Sequence, residues 1–203
     1  MVARWNLARF AETLLPLIDE HDLDRAESKA MEVINDFVSI YETQWLSVAR
    51  AKLGLEAMPG KDAEDRSLAQ DWLELLEQHH VDFTLGWRRL VDAVEGRPES
   101  LKALFPSADA TDSWLERWRQ RLDLQQSSEI ATSMRAANPI YIPRNHLVEE
   151  ALEAASDHAD LAPFERLLDV ITHPFEERSE HEQRYAQPAP REFTDCYQTF
   201  CGT

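Results

Sequence analysis

LDRAESKAMEVINDFVSIYETQWLSVARAKL, residues 23–53, decides the fold class. Ala26, Ala30, Val33, Phe37, Tyr41, Trp45 and Val48 step through this stretch by three or four positions. That is the period of one helical face. Gly54 follows, a residue suited to ending a helix. At about 1.5 Å of rise per residue, such a helix spans roughly 45 Å. The whole sequence holds only 5 glycines, so few loops can need positive φ. Long periodic stretches with scarce glycine predict helices joined by short turns.

Working outward, residues 4–19 carry Trp5, Ala8, Leu15 and Ile18 near one helical face, with Leu7, Ala11 and Leu14 widening it. Pro16 should end or kink that helix, and Asp22 is placed to cap the next. After the loop at 58–62, a helix over 65–79 should turn Leu68, Trp72, Leu75 and Leu76 inward. Asp82 is placed to cap a helix over 83–95 that uses Phe83, Trp87, Leu90 and Val94. Helices near 110–124, with the stripe Trp114, Leu115, Trp118 and Leu122, and over 127–137 come next. Residues 138–143 read as an extended connector, because each proline pushes its predecessor out of the α region. Beyond it come a helix burying Leu147, Val148, Ala151, Leu152 and Ala155, and one capped by Asp160 burying Phe164, Leu167, Leu168 and Ile171. Residues 174–203 show little periodicity and read as an irregular tail. The expectation is an all-α protein: one helical domain over 1–203, an irregular multi-helix bundle of about eight helices with that tail.

Composition narrows the function classes. With 43% hydrophobic and 29% charged residues the balance is globular, not disordered. A formal net charge of −17 repels phosphate backbones and anionic membrane faces, so no nucleic acid and no membrane are expected as partners. No apolar run approaches the roughly 20 residues of a membrane span, and the amino terminus has no signal-peptide core. With 2 cysteines there is no disulfide framework, and a cytoplasmic location is the expectation.

Few constellations could carry chemistry. Dispersed glycines exclude a phosphate-cradling loop. His79 and His80 are adjacent and face apart on a helix. His146 with Glu149 or Glu150 has the spacing of two metal ligands on one helical face but lacks a third ligand. Arg117, Arg119 and Arg121 form a basic cluster beside the tryptophan stripe; they either pair with surface carboxylates or meet a nucleotide or acidic partner. No catalytic residue and no metal site is assigned. Cys201, near the carboxyl terminus beside Gly202, is the candidate accessible thiol, inert or redox-active, and a bridge to Cys196 or to a partner elsewhere is open to it.

The connector and the segments flanking it resemble a known family. Asn138-Pro139-Ile140-Tyr141-Ile142-Pro143-Arg144-Asn145-His146-Leu147, followed by Glu149-Glu150-Ala151, is similar to the NPxYxxRNxLxxxA segment of the selenoprotein O family. So are Leu168, His173-Pro174-Phe175, Tyr185, Pro188 and the ending Phe200-Cys201-Gly202-Thr203. Upstream, Trp5 to Ala11, Lys52-Leu53-Gly54-Leu55 and Asp82-Phe83-Thr84 match family blocks in the same order. The resemblance implies a protein adenylyltransferase with a kinase-like core, which moves AMP from ATP, with Mg2+, onto protein hydroxyls. It places the nucleotide and metal residues of that core before the Trp5 block, so no cofactor is expected to be held by this chain itself. The chain is then expected to be the C-terminal helical part, inactive alone, with the kinase-like catalytic core and its protein substrates as partners. An exposed core-facing patch would favour self-association. The resemblance also aligns Cys201 with the family's redox position, to which Cys196 does not belong. The competing expectation is a free-standing helical interaction module.

Overall fold

The computed structural model describes residues 2–107 and 109–198. Every regular element among them is helical, so the fold is all-α. The chain divides into two compact units, Met1–Ala49 and Arg50–Thr203.

The first unit is a helical hairpin. Helix α1 is Val2–Ile18, and α2 begins at Leu23 and runs to Leu53. Pro16 does not end α1; it sits in the last turn, where only one i→i−4 bond is lost. Asp22 caps α2 as expected, its carboxylate accepting from the Arg25 N–H at 2.9 Å. Arg4 Nη2 ties the two helices by donating to Asn35 Oδ1 at 2.8 Å. Within α2 the buried positions of this unit include Ala26, Ala30 and Ile34, whereas Val33, Tyr41 and Val48 are exposed. Period alone fixed the helix but not which side of it packs.

In the second unit, Gly54 ends α2 with φ +68°, and the Leu55 N–H returns to the Arg50 carbonyl at 2.9 Å. Gly54 is also pressed against α7 (Ser127–Ala137): a Cβ there would lie 2.5 Å from Ile130 Cγ2 and 2.8 Å from Met134 Sδ. Helices α3 (Asp62–Gln78), α4 (Phe83–Val94) and α6 (Asp112–Arg121), with the single turn α5 (Glu99–Lys102), surround a tryptophan core. Trp72 packs against Trp114 with ring centroids 4.5 Å apart, and Trp114 stacks on Trp118 at 5.4 Å. Both indoles of α6 find backbone acceptors, Trp114 at Leu68 and Trp118 at Leu53, each at 2.9 Å. Gly86 lets α4 close on α3, since a Cβ would meet Leu76 Cδ2 at 2.5 Å.

A second apolar cluster holds the rest together. Helices α8 (Asn145–His158) and α9 (Ala162–Thr172) contribute Leu147, Ala151, Leu167 and Val170. Ile140 and Tyr141 of the connector join them, as do Tyr185 and Ala186 from the tail segment. That segment is not uniformly irregular over its described part. It contains α10 (Ser179–His181), a π-helical turn at Glu182–Ala186, and α11 (Arg191–Cys196).

Several residues expected inside are exposed. Phe83 at the start of α4 lies at the surface with its ring edge-on to Trp87, while Leu85 and Val91 are buried instead. Leu152, Phe164 and Leu168 flank the buried α8 and α9 rows rather than joining them, and line a shallow apolar groove. Neighbouring elements cover only part of each of these faces, so the buried arc is narrower than the apolar arc.

Candidate functional site

The connector Asn138–Pro143 and the residue just after it hold two buried polar side chains, Asn138 and Arg144. Proline at 139 and 143 keeps the segment extended, so its own N–H and C=O groups must be satisfied from outside. Asn138 is fully buried; its Nδ2 donates to the Lys52 carbonyl at 2.9 Å, and Lys52 Nζ donates to the Ala137 carbonyl at 3.0 Å. Burial holds the Lys52 ammonium below the usual lysine range, and its charge lies 5.6 Å from the centre of the Trp87 ring. Arg88, 3% exposed on α4, donates from Nη1 to the Asn138 carbonyl at 2.9 Å and from Nη2 to Glu177 at 3.0 Å. The Ile140 N–H donates to the Pro174 carbonyl at 2.8 Å, and the Tyr141 hydroxyl bonds both the N–H and the C=O of Arg178 at 3.0 Å.

Arg144 closes the set. It donates to both oxygens of Asp82, at 2.8 and 3.1 Å, and to the Ala186 carbonyl at 2.9 Å. Asp82 also accepts from the Leu85 N–H at 2.9 Å as the cap of α4. Burial pushes the Asp82 carboxyl up, but the hydrogen bonds from Arg144 and Leu85 outweigh it and hold the group below the usual carboxylate range. One motif thus joins the end of α2, the start of α4, the start of α8 and the tail.

Of the other expected site residues, Cys201 lies outside the described residues. Cys196 is an exposed, free thiol on α11. His146 and its carboxylates do not converge on a common point: Glu149 accepts from the Tyr197 hydroxyl at 3.0 Å, and Glu150 pairs with Arg184. The His146 ring faces Phe193 instead, with centroids 5.8 Å apart. Among the described residues no group of three His, Cys, Asp or Glu side chains could hold a metal ion. His79 lies edge-on to Phe105, and His80 occupies the turn after α3 with φ +52°. In the basic cluster, Arg121 pairs with the buried Asp65 at 2.8 Å and Arg117 with Asp71 at 2.8 Å. Arg50 meets Asp65 from the other side at 2.7 Å, so one buried carboxylate is shared by two guanidiniums.

The polar groups that period reading missed include the buried Asp65, Arg88 and Asn138 and the half-buried Lys52. A charged residue inside an otherwise apolar helical stripe was the available signal, as Arg88 shows between Trp87 and Val91.

Fold and site together define an all-α scaffold whose buried cations are committed to carbonyls and carboxylates. The family profile described as protein adenylyltransferase SelO matches residues 1–172, and the chain belongs to that family. It is 51% identical over 204 residues to the protein nucleotidyltransferase YdiU of Chromobacterium violaceum, covering 100% of this chain and 42% of that protein. The YdiU proteins of Cereibacter sphaeroides and a Mycobacterium species are 49% and 46% identical, and in each the match covers 100% of this chain and 40% of the relative. The chain therefore spans about two fifths of the length of these relatives.

Proposed function

We propose that this chain is the helical C-terminal region of a protein nucleotidyltransferase, and that it supports a kinase-like catalytic core. In the full-length protein that core would transfer AMP from ATP to protein Ser, Thr or Tyr hydroxyls. The observation that carries this reading is the apolar surface of the helical hairpin. Trp5 is 62% exposed, Phe10 61% and Val33 71%, in a unit whose first helix buries no residue at all. Exposed aromatic and branched side chains of this kind support a docking role for the hairpin. ATP and Mg2+ are assigned to the core and not to the residues described here. Arg88, Arg144 and the half-buried Lys52 are each already bonded within the scaffold. Cys201, with Cys196 on the same segment, is proposed as the redox control point and the protein as cytoplasmic. Among the described residues no helix is long and apolar enough to cross a membrane.

The test is calorimetric titration of ATP with Mg2+ into this chain alone and into the full-length protein. Binding by the full-length protein and none by the chain is the expected result; micromolar binding by the chain alone overturns the reading. A free-standing interaction module is the alternative, and it has the same exposed hairpin in its favour.

A further inference from the structure

Helix α11 is attached differently from everything before it. Residues 187–190, Gln-Pro-Ala-Pro, lead into it, and none of its own residues is buried. By contrast Tyr185 and Ala186, just before that linker, are core residues. What holds α11 to α8 is a ring contact, His146 against Phe193 with centroids 5.8 Å apart, and Phe193 in turn stacks on Tyr197 of its own segment at 4.7 Å. The Tyr197 hydroxyl adds its bond to Glu149. Held this way, α11 forms one wall of a cleft of about 1020 Å³, with Arg191, Phe193 and Tyr197 facing Ile142, Pro143 and Asn145.

The His146 ring is the pivot of that contact. Its Nδ1 is buried and, among the described residues, has no hydrogen-bond partner. For a neutral imidazole this costs one unpaired acceptor, a modest penalty. For a protonated one the penalty is larger, since its new N–H would be a charged donor with nothing to receive it. The charges around the ring are mixed. Arg144, itself bonded to Asp82, and Arg184 of the π-helical turn oppose a proton, while Glu150 on the same helix favours one. The Glu150 charge is shared with Arg184 and the Glu149 charge with the Tyr197 hydroxyl. Helix α11 carries Arg191, Glu192 and Asp195 along its turns and sets the apolar Phe193 ring against the imidazole.

We propose that α11 is a releasable latch whose hold requires a neutral His146: a proton taken up from solvent by the imidazole frees residues 187–198 and opens the cleft, and its loss closes it. The direction is set by linkage. Burial first, then Arg144, holds the docked ring below the usual histidine range; of the two only the burial that α11 supplies is lost on release, since Arg144 stays with the scaffold. The latch is therefore fully closed above the pKa of the released ring and weakens as pH falls through the lower docked value. Each unit separating the released and docked rings is worth about tenfold in the ratio of closed to open latch.

The test is a nitroxide label on Cys196 in the full chain carrying Cys201→Ser, with electron paramagnetic resonance spectra recorded from about pH 8 to about pH 5. A line shape that is immobilised at the high end and sharpens reversibly with a one-proton midpoint is expected, with helical circular dichroism unchanged. His146→Phe should keep the ring contact and remain immobilised throughout, and Phe193→Ala should be mobile at both ends. An unchanged wild-type line shape overturns the proposal. So does sharpening of His146→Phe at the wild-type midpoint, a Phe193→Ala label that stays immobilised at the high end, or release that coincides with loss of helicity.

Discussion

Arg144 donates to both oxygens of Asp82 and to the Ala186 carbonyl, and its side chain is 6% exposed. A buried partner removed from such a pair leaves the other uncompensated. Arg144→Ala is expected to cost about 3–5 kcal/mol in urea unfolding. Arg144→Lys should recover only part of this, because an ammonium cannot reproduce the paired geometry. Asp82 gives the pair a pH signature. Its folded pKa is depressed, so its stabilisation is complete above the ordinary carboxylate value of about 3.9 and is lost as pH falls through the lower folded value. Asp82→Asn should flatten the acid limb of the stability profile measured by thermal melts, and an unaltered slope would show that other carboxylates govern it. The pairing was legible only in part. Asp82 was readable as a cap, because capping is a local relation. Its bond to Arg144 spans 62 positions and carries no periodic trace.

Among the elements, α2 shows how one residue can answer two demands. Gly54 has φ +68°, which an L side chain resists, and its missing Cβ is the space filled by Ile130 and Met134. Gly60 has φ +77° with nothing within 4 Å of an added Cβ. Both changes to alanine should destabilise, each by about 1–2 kcal/mol from the backbone. Gly54→Ala should lose a further 1–3 kcal/mol, roughly, from overpacking. Equal melting temperatures for the two variants would mean α7 shifts freely to make room. The helix end was readable from Gly54 in the sequence; the approach of α7 was not. In the same way α3 and α4 emerged near their expected bounds, while Phe83, Leu152, Phe164 and Leu168 came out exposed. A hydrophobic period gives the helix and its apolar arc. Which part of that arc is covered depends on how many neighbours the helix has.

For the whole molecule, the hairpin Val2–Ala49 leaves an apolar surface that a chain in water does not ordinarily carry bare. Concentration-dependent association is expected in sedimentation velocity, and the double change Trp5→Glu and Phe10→Glu should shift the chain towards monomer. Both residues are well over half exposed, so the variant should keep its helical content. A monomer at all concentrations before and after the change would leave the supporting role without its docking face.

The sequence by itself determined that this chain is helical, where its main helices fall, and which family it belongs to. These are local and pattern properties, set by period, caps and the order of short motifs. Only the tertiary structure decided what the Asn138–Arg144 motif does. Its side chains and backbone reach Lys52, Arg88, Asp82, Pro174, Arg178 and Ala186, groups far apart along the chain. An extended segment cannot satisfy its own backbone, so its partners are fixed by packing and not by sequence neighbours.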